Sequence, residues 1–147
     1  VSQTIYTIGF TKKSLEQFIH LLQNAGVNAV IDIRLRNTSQ LAGFAKRDDL
    51  AFLLHEGFGL EYEHRPDLAP SDDILDAYKT GGDWLAYEHD FLSLLAERHA
   101  EALGREILAR YQRPCLLCAE PTPEHCHRRL VAEYWAAHLP DLEVVHL

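Results

Sequence analysis

Leu116-Leu117-Cys118-Ala119-Glu120-Pro121-Thr122-Pro123-Glu124-His125-Cys126-His127-Arg128-Arg129 runs from an apolar stretch through a turn toward a helix. The apolar residues 115–119 predict a buried strand, and Glu120-Pro121 stops it. Thr122 suits a helix N-cap. Pro123 suits the first helical position, because the N–H that proline lacks would have no helical partner there. Leu130, Val131, Tyr134 and Trp135 then fall on one helical face, which predicts a helix over 123–138. Strand, loop and helix in that order form the unit of an α/β sheet. No other stretch carries so many thiols, imidazoles, carboxylates and guanidinium groups.

The same alternation extends outward. Residues 4–8 read as a strand ended by Gly9. Ser14 and Gln17 form a capping box for a helix over 14–25, which carries Leu15, Phe18, Ile19 and Leu22 and stops at Gly26. Residues 29–33 are almost continuously apolar, as in a strand covered on both faces, and Arg34 and Arg36 follow. Residues 37–45 read as loop, and Leu50, Leu53 and Leu54 mark a helix ending near Gly57. In 60–64, Glu61 and Glu63 alternate with apolar residues, which predicts an edge or one-sided strand. Ser71 caps a short helix broken at Gly81-Gly82. Residues 84–113 are largely helical, with Gly104 as the expected break, and 142–146 close the chain as a strand.

The expectation is an α/β, single-domain, three-layer fold over 1–147, with a mostly parallel sheet of about five strands and helices on both faces. In such sheets the carboxyl ends of the strands carry function. That rule brings together Gly9 to Thr11, Arg34 with Arg36, His64 with Arg65, and Cys118 to Arg129.

Composition narrows the classes. At 147 residues and 47% hydrophobic, the chain can build one sizeable core. No apolar run approaches the roughly 20 residues of a membrane helix. The N-terminus shows no signal-peptide pattern, and three cysteines do not make a secreted disulfide framework, so a cytoplasmic location is expected. The net charge of -8 argues against an extended nucleic-acid surface, while leaving room for a local basic pocket.

Cys118 and Cys126 are the candidate reactive thiols, favoured as thiolates by a helix N-terminus and by Arg128 or Arg129. If their sulfurs are close, they form a reversible disulfide or one acts as nucleophile. Cys115, inside the strand, reads as a small core residue. Glu120 and His127 are candidates for proton transfer, and Glu120 alternatively pairs with Arg34 or Arg128. Asp32, in an apolar strand, needs an arginine or loop donors beside it. Arg34, Arg36 and Arg128, with the turn at Gly9 and Thr11, are the candidate anion-binding residues. Cys118 and Cys126 with His125 or His127 offer a donor set that suits zinc, with Glu120 or His64 as the fourth donor. Their spacing matches no zinc finger or ribbon, so no metal and no cofactor is assigned. His20, His55, His89 and His99 read as surface residues.

Thr7-Ile8-Gly9-Phe10-Thr11, Asp32-Ile33-Arg34, Cys118-Ala119-Glu120, Cys126-His127-Arg128 and Val145-His146-Leu147, in this order, resemble the domain-of-unknown-function 488 family. The resemblance covers nearly the whole chain. Phe10 stands where the family usually has histidine, Asn37 where proline is common, and Leu68-Ala69-Pro70 where Leu-Gly-Gly is expected. The resemblance implies the fold and the site rather than a reaction. Three functions fit the residues: a small enzyme acting on an anionic substrate such as a nucleotide or another phosphate compound, a non-catalytic anion- or nucleic-acid-binding module, and a thiol redox sensor.

Overall fold

Five strands and six α-helices alternate along the chain in the computed structural model, which describes residues 2–147. The strands are β1 (Gln3–Gly9), β2 (Ala29–Asp32), β3 (Glu61–His64), β4 (Pro114–Cys118) and β5 (Leu142–His146). The helices are α1 (Leu15–Ala25), α2 (Arg47–Phe52), α3 (Asp72–Gly81), α4 (Trp84–Glu97), α5 (Ala100–Arg110) and α6 (His127–His138). Every strand pair is parallel, and the order is β3-β2-β4-β1-β5. β3 therefore lies at an edge, as its alternating glutamates predict.

Side chains along a strand point alternately to opposite faces, and this alternation builds two cores. Ile5, Ala29, Ile31, Ile33 and Leu116 pack under α4, α5 and α6 on one face. Tyr6, Ile8, Val30, Cys115 and Leu117 pack under α1 and the region around α2 on the other. The result is the expected three-layer α/β arrangement. Cys115 is a core residue, and burial pushes its thiol pKa up.

Local signals are met where they are self-contained. The Ser14 hydroxyl accepts from the Gln17 amide, the Gln17 side chain accepts from the Ser14 amide, and Gly26 adopts φ 74° at the end of α1. Ser71 caps α3, and Gly82 ends it at φ 67°. A 3-10 turn over Gln40–Ala45 occupies part of the expected loop, and a π turn over Leu53–Gly57 extends α2.

Two expectations are corrected. The long helix does not break at Gly104 but at Arg98 and His99, where His99 takes φ 54°. Gly104 lies inside α5, where a Cβ would come within 2.8 Å of the Trp135 ring. Its role is to let α6 approach. The last helix starts at His127 rather than Pro123. Residues 119–126 stay a loop because His125 stacks on Trp84 (4.8 Å between ring centroids) and Cys126 remains extended, its sulfur against Cys118.

Candidate functional site

The carboxyl ends of β1, β2 and β4 lie side by side, with Gly9 opposite Cys118 and Asp32 opposite Leu117. Pairing continues beyond the strands. Phe10 N–H donates to the Cys118 carbonyl (3.3 Å), Thr11 N–H to Ala119 (3.1 Å) and Ile33 N–H to Leu117 (3.1 Å). The loop leaving β4 passes so close over Gly9 that a Cβ there would lie 1.6 Å from the Glu120 carbonyl oxygen. Gly9 is thus required by close approach. The amides of Phe10 and Thr11 hold the loop in place and are committed to its carbonyls.

That loop brings Cys126 back to Cys118. Both sulfurs are buried and in disulfide contact, and their Cα atoms are 7.5 Å apart. Cys126 is also the N-cap of α6, and its side chain caps no amide. A ring nitrogen of His127 and the two sulfurs lie within 4.8 Å of one another. The Ile33 carbonyl contacts His127 Nε2 at 2.7 Å, and a carbonyl only accepts, so Nε2 carries the proton and Nδ1 the lone pair. Burial pulls the His127 pKa down to about 4, which keeps the ring neutral near pH 7.

Arg34 enters from β2. It is 6% exposed and forks onto Asp32, with Nε donating to Oδ1 (2.8 Å) and Nη2 to Oδ2 (2.7 Å). Nη2 also donates to the Ala45 carbonyl (2.7 Å). Asp32 further accepts from Asn37 Nδ2 (3.0 Å) and the Tyr62 hydroxyl (2.5 Å). Burial alone would raise the Asp32 pKa, but the Arg34 fork, Tyr62 and Asn37 carry it below the usual carboxylate value. Asn37 thus supplies a donor that proline lacks. Phe10 lies under the Arg34 guanidinium at 5.2 Å, a cation–π contact. No hydrogen bond within the fold reaches Arg34 Nη1 among the described residues, and Arg34 lines the cleft.

The cleft measures about 230 Å³, and its wall includes Arg34, Tyr87, Cys118, Glu120, Cys126 and His127. A cleft of that size suits a small molecule. Glu120 is exposed on the rim, and its expected ion pair with Arg34 or Arg128 does not form among the described residues. An aromatic stack backs the cleft. Trp84 lies parallel to Tyr87 at 4.8 Å and also stacks on His125, and Tyr78 tilts against both Trp84 and Tyr87. No hydrogen bond within the described fold reaches the hydroxyl of the otherwise buried Tyr87. Sequence reasoning missed this wall. The available signal was Trp84 and Tyr87 on one face of α4, at the spacing of helical neighbours.

Other candidates are committed to partners within the fold. Arg36 lines its outer edge but pairs with Asp72 (2.5 Å) and Asp76 (3.6 Å), which ties the rim to α3. Arg128 is 0% exposed and does not line the cleft. Its Nη1 donates to Thr7 Oγ1 (2.6 Å) and its Nη2 to the Glu120 carbonyl (3.5 Å). The Thr7 hydroxyl shares a further hydrogen bond with His146 Nδ1 (2.5 Å). Arg128 Nε has no partner, and no carboxylate pairs with this guanidinium among the described residues. Burial lowers its pKa. His64 Nε2 donates to the Arg34 carbonyl (2.9 Å), and Arg65 pairs with Glu63 and Asp67. His20, His55, His89 and His99 are exposed, as expected.

A family model described as "Domain of unknown function DUF488" matches residues 14–135. No curated protein and no solved structure matches the chain. Among the described residues, no helix is long and apolar enough to cross a membrane.

Proposed function

The chain belongs to the DUF488 family, and we propose that it is an enzyme acting on a small anionic substrate, phosphate compounds included, in the cleft beyond β2 and β4. One observation carries the reading: the Cys118–Cys126 pair, a neutral His127, the free Glu120 carboxylate and the open Nη1 of Arg34 converge on one small cavity. Arg34 supplies the cation for the substrate, held rigid by Asp32. The thiol pair and His127 form the reacting centre, and Glu120 exchanges protons with solvent. The uncapped start of α6 favours negative charge at Cys126. Arg128 braces the loop from behind. The setting is a reducing cytoplasm, where both thiols are available.

The test is protection of Cys118 and Cys126 from alkylation in reduced protein, with inorganic phosphate and AMP as probes. Either anion should slow modification at both sulfurs, and Arg34→Lys should weaken that protection by about tenfold, since lysine cannot form the fork. Equal rates with and without these anions would remove the anionic-substrate reading. Anion binding unchanged in a Cys118→Ser, Cys126→Ser double variant would favour the binding module over the enzyme.

A redox sensor is the second reading, favoured by the sulfur contact itself. Peroxide would take two thiol hydrogens and leave one disulfide and two waters. Fast, reversible oxidation without any anion effect would favour it.

A further inference from the structure

The geometry points to a transition-metal site: in the reduced protein, Cys118 Sγ, Cys126 Sγ and His127 Nδ1 bind one divalent ion of the zinc or ferrous-iron class, and its fourth position opens to the cleft. The inference rests on the cleft reading for its use, but not for its chemistry.

Three donors from two places in the chain meet within 4.8 Å, one at the end of β4 and two at the start of α6. Two thiolates and an imidazole suit a borderline-soft ion. The Cα separation of 7.5 Å is wider than the usual disulfide span of about 4.4–6.8 Å. Thiolates about 2.3 Å from a tetrahedral ion stand about 3.8 Å apart, which a wider backbone accommodates. On binding, each thiol loses its proton to solvent. Two thiolates, a neutral imidazole and a divalent ion then sum to zero charge, as burial requires.

The surroundings support this assignment. His127 donates Nε2–H to the Ile33 carbonyl, the outer contact that fixes a ligating imidazole and aims its other nitrogen. His125 is taken up by its stack on Trp84, and His64 by the Arg34 carbonyl. His127 is therefore the histidine of the set. Glu120 lines the same cleft but lies outside the three-donor cluster, so the fourth position is left to water or substrate.

Anaerobic titration of the reduced full chain with Co²⁺ tests the site. The expected result is one equivalent bound with sulfur-to-cobalt charge-transfer absorption, intense tetrahedral visible bands, release of two protons and displacement by Zn²⁺. His127→Gln should weaken binding by at least about tenfold and shift the visible bands, with its fold checked by circular dichroism. Absence of charge-transfer absorption at one equivalent in the wild-type chain overturns the inference whether or not any variant folds. So does a folded His127→Gln variant with unchanged affinity and bands. Anion protection is measured separately on metal-free protein. Cobalt binding without a phosphate or AMP effect leaves the metal site standing and removes the anionic substrate. Protection without cobalt binding does the reverse.

Discussion

Asp32 shows how much one residue holds at this site. Its carboxylate is fully buried and accepts from Arg34, Asn37 and Tyr62. Asp32→Asn would leave the Arg34 guanidinium buried without its charge partner, and urea unfolding should show a loss of about 3–5 kcal/mol. The pH dependence follows from the direction of the shift. The folded-state pKa of Asp32 lies below the unfolded value of about 3.9, so its contribution is fully present above that value. It is lost as pH falls toward the folded pKa, because the unfolded chain then binds the proton first. Unfolding free energy should drop more steeply below about pH 4 in the wild type than in Asp32→Asn. A parallel drop in both proteins would assign the acid sensitivity elsewhere. The need for a partner was legible in the sequence, because a buried carboxylate requires a donor, but the sequence leaves open whether an arginine or a loop supplies it. Burial of Arg128 without a carboxylate was not legible, because its partners Thr7 and Glu120 are brought to it by the sheet and the loop.

Helix signals divide into local and borrowed ones at the scale of elements. The capping box at Ser14 and the left-handed Gly26 act within a few residues, and both appear where the sequence puts them. Gly104 is the opposite case. Helix propensity treats it as a weak point, whereas the structure uses the missing Cβ to seat Trp135 of α6, whose Nε1 donates to the Ala100 carbonyl (2.8 Å). Gly104→Ala should therefore destabilise by about 1–3 kcal/mol in chemical denaturation, although alanine in an unpacked helix would stabilise by about 1 kcal/mol. A gain in stability would show that α5 and α6 separate more readily than their packing indicates. The start of α6 depends on the same kind of distant contact. Thr122 and Pro123 satisfy the local rules for a helix start, yet Trp84 and Cys118 hold residues 119–126 as a loop.

For the molecule as a whole, strand order dictates where the fold opens. β4 lies at the centre between β2 and β1, and β3 and β5 form the edges. In native-state hydrogen exchange, Ile31, Leu116 and Leu117 amides should exchange only through global unfolding, and those of the edge strand β5 through smaller local openings. Exchange in β5 as slow as in β4 would contradict that order. The sequence by itself determined the alternation of strands and helices, the edge character of β3, and the gathering of Cys118, Cys126, His127 and Arg34 beyond the strand ends. These are matters of period and polarity, written along the chain. Only the tertiary structure decided that His127 rather than His125 joins the two sulfurs. It also decided that Tyr78 and Tyr87 wall the cleft with Trp84 stacked behind them, that Arg128 braces the loop instead of lining the cavity, and that Gly104 makes room for a ring. Each of these depends on which distant segments meet, and packing across layers selects those meetings among the arrangements that the same local pattern allows.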